Sequence, residues 1–384
     1  MHPQMKGYKV VIQRGGTSKG IFIKENELPA GKEERDEVIR RIFGSPDPRQ
    51  IDGLGGADVL SSKLAIIGPP TRGDADIDYT FAQVSFDTDL VDYGGNCGNI
   101  SAGVGPFAID EGLIKIEYPK TTVRIHQTNT NCILKAEVEV VEGKSAVDGD
   151  LAIAGGPGTG SKIMLDFFDT VGSTTGKLLP TGNAVDTIDV EGYGKYEISI
   201  VDAGNVLVFI AADSLGLKGT ETCEEIESNK ELTKEIEAIR GSAAVKIGMA
   251  KNLKEATEKS AYVPFFAIVS KPQTYTSENG DKIIKDSDID IVSRLSFMLH
   301  MHKTYPGTGT VATGAAARIP GTIVYNMLNE KAKGNTLLRI GHPAGIIEIE
   351  AEASAKDNHI SFTRLAYERT SRRIMEGTVY IKNR

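Results

Sequence analysis

Apolar and polar residues alternate along much of the chain. Ile77–Phe86 reads Ile-Asp-Tyr-Thr-Phe-Ala-Gln-Val-Ser-Phe, a period near two that predicts a strand. Thr122–Gln127 and Cys132–Val141 alternate likewise, and Thr128–Asn131 between them predicts a turn. Gly194–Val201 and Val206–Ile210 predict a further pair, and Ile346–Ala351, Ile360–Leu365 and Glu376–Ile381 predict strands at the C-terminal end. Helical spacing is rarer. Lys32–Phe43 groups Val38, Ile39, Ile42 and Phe43 on one face and stops at Gly44, ahead of Pro46. Lys230–Ile239 predicts a second helix. A third is expected from a Ser287/Asp288 cap, carrying Ile289, Ile291, Val292, Leu295, Phe297 and Met298. Two more are expected to open inside glycine clusters, near Gly98 and Gly309. Many strands, mostly antiparallel, with few helices make an α+β protein. The turn-rich Leu179–Asn183 suggests two halves, 1–182 and 183–384, with the last strands able to return to the first half.

Composition changes this picture at one point. There are 42 glycines in 384 residues, about 11% where ~7% is usual. They form no low-complexity tract. They cluster at Gly15–Gly16, Gly53–Gly56, Gly94–Gly98, Gly155–Gly160 and Gly307–Gly309, between predicted elements. The net charge of −8 argues against nucleic acid or an anionic membrane as partner. No apolar run approaches the ~18 residues of a membrane span, and the opening residues lack the apolar core of a signal peptide, so a cytoplasmic protein is expected. Three cysteines and six scattered histidines imply neither a disulfide framework nor a structural metal site. Gly155–Lys162 reads Gly-Gly-Pro-Gly-Thr-Gly-Ser-Lys. Ser161 separates Gly160 from Lys162, so the spacing of a nucleotide-phosphate loop is missed and an ordinary loop is expected.

The two helix-opening clusters resemble each other. Asn96-Cys-Gly-Asn-Ile-Ser-Ala-Gly-Val104 and Gly307-Thr-Gly-Thr-Val-Ala-Thr-Gly-Ala315 share a thiol or hydroxyl, then glycine, a small polar residue, a β-branched residue, two small residues and glycine. Small side chains allow close packing on all sides, which predicts a central helix inside a curled sheet. The clusters lie half a chain apart, as a duplication would leave them. A helix start offers free N–H groups and partial positive charge, so each is a candidate anion site. A cysteine there is favoured as the thiolate. Two such starts facing each other across a cleft would hold a dicarboxylate, and a base beside a bound carboxylate could remove the proton alpha to it.

These motifs resemble the PrpF-type isomerases. The resemblance rests on Arg14-Gly-Gly-Thr-Ser-Lys-Gly20, Gly55-Gly-Ala-Asp58, Ser61-Ser-Lys-Leu64 and Asn96-Cys-Gly-Asn-Ile-Ser-Ala-Gly103 in the first half. Gly307-Thr-Gly-Thr310, Ala317-Arg-Ile-Pro-Gly321 and Ile340-Gly-His-Pro343 extend it through the second. It implies a diaminopimelate epimerase-like fold: two pseudo-symmetric halves, each a curled, barrel-like sheet around a central helix. It implies cofactor-independent proton transfer in a small unsaturated di- or tricarboxylate, and a homodimer or homotetramer. Arg41–Asp47, Arg49–Gly53 and Gly103–Glu111 look closest to the 3-methylitaconate Δ-isomerase branch; 2-methylaconitate cis-trans isomerase and 4-oxalomesaconate tautomerase are the alternatives within the family. The catalytic pair it implies is Lys63 and Cys97, with the base and acid roles unassigned.

Thr17, Ser18, Asn96, Gly98 and Asn99 in the first half, and Thr308, Gly309 and Thr310 in the second, are the candidate substrate contacts. Neither a metal nor a cofactor is expected. Thr308 stands where epimerase relatives have a second cysteine, which argues against a two-base racemase. A dicarboxylate-binding protein without turnover, or an accessory partner of an aconitase-like enzyme, would need neither Lys63 nor Cys97. Cys132 and Cys223 read as structural. His300 and His302 read as helix-end partners, and His342 as the holder of a turn.

Overall fold

The computed structural model describes residues 3–260, 262–356 and 359–383. The chain divides into two compact units, Met1–Leu165 with Glu368–Arg384, and Asp166–Tyr367. The division expected at 182/183 falls inside the second unit. Residues 166–182 are tied there by hydrogen bonds: Asp202 Oδ2 accepts from the Thr174 and Thr175 amides at 3.0 and 2.6 Å, and Thr170 Oγ1 accepts from the Gly204 amide at 2.9 Å.

In the first unit the elements are β1 (Met5–Gly15), β2 (Ser18–Lys24), α1 (Lys32–Phe43), β3 (Lys63–Gly68), β4 (Ile77–Val84), β5 (Val91–Asp92), α2 (Gly98–Asp110), β6 (Lys120–Gln127) and β7 (Cys132–Val141). The C-terminal strand Ser371–Lys382 returns to pair with β1 along its length. Across the sheet the order is C-terminal strand, β1, β2, β3, β4, β6, β7. The successive pairings are antiparallel, antiparallel, parallel, antiparallel, parallel, antiparallel. Ile21–Ile23 of β2 and Leu64–Ile67 of β3 are unbroken apolar runs because both faces are covered there. Ile21, Ile23, Leu64 and Ile66 pack against Val38, Ile39, Ile42 and Phe43 of α1. Phe22 points the other way, to Phe107 of α2, with ring centroids 5.6 Å apart.

α2 is the axis of this unit. Every residue from Gly98 to Ile109 is buried. A Cβ on Gly103 would lie 2.6 Å from Phe22 and 3.2 Å from Gln13, on β2 and β1. A Cβ on Gly105 would lie 3.0 and 3.1 Å from Val138 and Ala136, on β7 at the far end of the sheet. Both ends of the sheet therefore meet one helix, so the sheet is curled around it.

The second unit repeats the plan. Its strands run Asp186–Val190, Gly194–Ala203, Asn205–Ala211, Phe265–Ser270, Ile291–Phe297, Leu337–His342 and Gly345–Lys356, with the same succession of parallel and antiparallel pairings. Its outer helix, Lys230–Lys246, falls between the third and fourth of these strands, as α1 does between β2 and β3. Its central helix, Gly307–Ala316, falls between the fifth and sixth, as α2 does between β4 and β6, and all of its residues are buried. A Cβ on Gly314 would lie 2.8 Å from Ile349.

One expected element is corrected. The helix predicted from Ser287 is a short 3-10 turn, Asp286–Asp288, followed by the strand Ile291–Phe297. That strand lies between two others and is buried from Ile291 to Ser296. With both faces covered it shows no alternation, and its apolar positions mimic a helical face. His300 then opens a short return strand and is largely exposed, while buried His302 accepts from the Thr304 amide at 3.1 Å. The Gly155–Gly160 cluster joins two short antiparallel strands, Leu151–Ala152 and Thr159–Gly160, and Gly155 and Gly158 take the positive φ values of that turn. Among the described residues no helix is long and apolar enough to cross a membrane.

The close packing of α2 yields a stability test. Gly103→Ala should cost about 1–3 kcal/mol, because Phe22 and Gln13 must both move. Gly31→Ser, at the open N-cap of α1, should be neutral or stabilising by about a few tenths of a kcal/mol. Thermal denaturation of the two variants would measure the contrast.

Candidate active site

Cys97 is the N-cap residue of α2, in extended conformation, and its side chain caps nothing. The first bond of the helical ladder runs from the Ser101 amide to the Cys97 carbonyl at 2.9 Å. The amides of Gly98, Asn99 and Ile100 precede that ladder, leaving a helix start with positive character beside a half-buried thiol. Asn96 and Ser101 brace the start: Ser101 Oγ donates to Asn96 Oδ1 at 3.2 Å and to the Cys97 carbonyl at 3.0 Å.

The β1–β2 turn lies against this start. A Cβ on Gly15 would fall 2.3 Å from the Asn99 carbonyl oxygen, and one on Gly16, at φ +51°, would fall 2.3 Å from Asn99 Oδ1. The paired glycines are thus a condition of the turn reaching the helix. Asn99 Nδ2 donates to Thr17 Oγ1 at 3.0 Å. Ser18 is 3% exposed, and its hydroxyl has no partner in the described protein. An orphaned buried hydroxyl costs free energy unless a ligand or water meets it.

Lys63 opens β3, paired in register with Gly20 of β2. The α-carbon face of Gly20 lies against both the Lys63 carbonyl and Ile100 in the first turn of α2; an added Cβ would come within 3.0 and 2.9 Å of them. Lys63 is therefore held at the same end of the unit as Cys97. It is 8% exposed, with its ammonium 5.5 Å from the centre of the Phe81 ring. Nζ donates to Gln83 Oε1 at 2.9 Å, and no carboxylate pairs with it among the described residues. Gln83 is fixed in turn, since its Nε2 donates to the carbonyls of Ser62 and Val59 at 2.9 and 3.3 Å. Its oxygen must then face the lysine. Before Lys63, the Gly55–Ala57 loop wraps Gln50, whose Oε1 accepts from the Ala57 amide at 2.8 Å and whose Nε2 donates to Ser62 Oγ at 2.8 Å.

Sequence reasoning missed Gln83 and Arg369. Gln83 sits in an alternating strand and becomes visible only through the register that sets it opposite Lys63. Arg369, 270 residues from Asn99 along the chain, donates from Nε to Asn99 Oδ1 at 3.1 Å.

In the second unit Thr308 and Thr310 are buried, and Thr310 Oγ1 donates back to the Pro306 carbonyl at 3.0 Å. The ladder starts at Pro306, so Thr308 is already helical where Cys97 is a cap. Gly309 lies against Leu295. The shared strand order gives each first-unit residue a counterpart. Phe265 opens its strand as Lys63 does, paired with the third residue of the preceding strand. Asn205 opens that preceding strand as Ser18 opens β2, and donates to Thr308 Oγ1 at 3.0 Å. The second unit thus has neither a lysine nor a thiol at these positions, and its counterpart of the orphaned serine is satisfied. Its His342 holds the Gly-His-Pro turn, with Nδ1 accepting from the Ala344 amide at 3.3 Å. An apolar groove lined by Ile226, Ile236, Leu253 and Leu299 contains none of the candidate residues.

With this geometry in place, comparison with known proteins is informative. The sequence model of the PrpF protein family matches residues 5–382. The chain belongs to the PrpF family. It is 55% identical over 372 residues to 3-methylitaconate isomerase of Eubacterium barkeri, covering 97% of this chain and 96% of that one. A crystal structure of methylitaconate-delta-isomerase superposes with a TM-score of 0.88 at 53% identity, covering 99% of this chain and 96% of that one. A hydroxyproline epimerase from Agrobacterium vitis matches at TM-score 0.55 and 11% identity, covering 100% and 94%. That likeness is one of fold alone, and it bears out the epimerase-like α+β architecture that the family resemblance implied.

The thiols should separate by reactivity. Cys132 and Cys223 are buried, whereas Cys97 is half-buried. Burial, reinforced by the Glu278 carboxylate, pushes the Cys223 thiol up to about 12, so it stays protonated near neutral pH. Iodoacetamide near neutral pH should label Cys97 first, as peptide mass mapping would show. Equal labelling of Cys223 in the folded protein would contradict this account.

Proposed function

We propose that this PrpF-family protein is a cofactor-independent isomerase that moves a proton along the allylic unit of 3-methylitaconate, giving dimethylmaleate. The C–H bond alpha to one carboxylate breaks, and its electrons form the new double bond. The old double bond opens, and its terminal methylene carbon takes a proton. One of Lys63 and Cys97 removes the first proton, and one of the two supplies the second. The free amides of Gly98, Asn99 and Ile100, with Thr17, Ser18 and Asn96 nearby, stabilise the substrate carboxylate and the dienolate charge. Within the second unit, the helix start at Thr308, Gly309 and Thr310 is a candidate anion site in its own right.

The observation that carries this reading is the confinement of ionisable chemistry to one unit. Lys63, in register with Gly20, and Cys97, at the N-cap of α2, both belong to the first unit, while the second unit has Phe265 and Thr308 at the corresponding positions. A proton shift needs one set of acid–base groups, whereas racemisation needs a second on the opposite face. The identity to the Eubacterium barkeri enzyme supports 3-methylitaconate as the substrate.

Cys97→Ser and Lys63→Ala should each lower turnover by roughly 10²–10⁴-fold. Proton NMR in deuterated water would follow both the double-bond shift and deuterium uptake. Deuterium uptake at the wild-type rate in both variants would rule the pair out. Running 2-methylaconitate and 4-oxalomesaconate in parallel tests the substrate, and faster turnover of either would reassign it. Gln83→Leu keeps the lysine but removes its acceptor, and should lower kcat by roughly tenfold or more with the fold intact by circular dichroism.

A further inference from the structure

Arg369 stands where the chain re-enters the first unit, at the end of the strand His359–Arg369. It is 4% exposed. Its Nη1 donates to the Glu368 carbonyl at 2.8 Å and its Nε to Asn99 Oδ1 at 3.1 Å. A guanidinium can only donate, so the Asn99 atom that meets it must be the amide oxygen. The Asn99 nitrogen is thereby turned to Thr17, where it donates to Oγ1 at 3.0 Å. Thr17 Oγ1 has then accepted its bond, and no acceptor among the described residues takes its proton. The next hydroxyl, that of Ser18, is buried and unpartnered.

We propose that Arg369 is a positioning residue that sets the polarity of this relay and so makes the Thr17 hydroxyl a donor to a substrate carboxylate. The physical alternative shows why a cation is needed. The Thr17 amide also donates to Asn99 Oδ1, but at 3.5 Å, so without the guanidinium only that long contact opposes a half-turn of the Asn99 amide. Its oxygen would then accept from the Thr17 hydroxyl, and that proton would be lost to the ligand. Arg369 is always charged, so the amide has one orientation at every working pH. The inference rests on the isomerase reading only in taking the ligand to be a carboxylate.

The test separates positioning from mere packing. Arg369→Met and Thr17→Val should each raise KM for 3-methylitaconate roughly tenfold or more, with a much smaller change in kcat. Binding of dimethylmaleate, measured by calorimetry, should weaken by a similar factor. Because both residues act through one hydroxyl, the double variant should bind no more weakly than either single variant. If the two losses multiply, or Arg369→Met binds dimethylmaleate like wild type, the relay is overturned. If Arg369→Met does not fold, Asn99→Asp serves instead. It keeps a partner for Arg369 but has no amide to donate to Thr17. It should weaken binding in the wild-type background and add nothing to Thr17→Val; a further multiplicative loss there would again overturn the relay. Wild-type protein that neither binds nor turns over any of the unsaturated acids would overturn the isomerase reading as well, whereas an active wild type with an unaffected Arg369→Met overturns the relay alone.

Discussion

A helix buried on every side has to be narrow, and the first unit is organised around that requirement. α2 has no solvent face, so each of its sides must meet a strand or turn. Gly103 and Gly105 let opposite ends of one sheet touch the same helix. Gly15 and Gly16 let the β1–β2 turn reach its first residues. The result is a helix start whose free amides, neighbouring thiol and flanking hydroxyls have little freedom to rearrange. Preorganised dipoles of this kind cost no reorganisation when charge develops, which suits a reaction that passes through a dienolate.

The two units share a strand order and the places of their helices, yet they have diverged where chemistry is concerned. In the second unit the residue opening β3's counterpart is a phenylalanine, and the hydroxyl of Thr308 is held by Asn205. In the first unit the equivalent of Asn205 is Ser18, whose hydroxyl is left over. A buried hydroxyl without a partner costs free energy unless a ligand or water meets it, which fits Ser18 as a substrate contact.

The polar groups around the site are arranged in chains of forced orientation. Two backbone carbonyls fix Gln83, and Gln83 fixes Lys63. Arg369 fixes Asn99, and Asn99 fixes Thr17. In each case a group that can only donate or only accept decides how an ambivalent amide points. The return of the last strand to β1 is what brings Arg369 to Asn99.

Much of this was legible in the chain alone. Local pattern found α1 from Lys32 to Phe43 and β7 from Cys132 to Val141, because half-buried elements carry their period in sequence. Small residues repeated at Gly98 and Gly309 marked both central helices, whereas Lys63 was singled out only by the family resemblance. What depended on tertiary structure was whatever is decided by two covered faces or by register. The strand Ile291–Phe297 read as a helix because burial on both sides erases alternation. Gln83 and Arg369 had no local signal, since a hydrogen bond across a sheet or between residues 270 apart leaves no spacing to read. Sequence determined which elements form and which side chains could react; the fold decided which way their protons point.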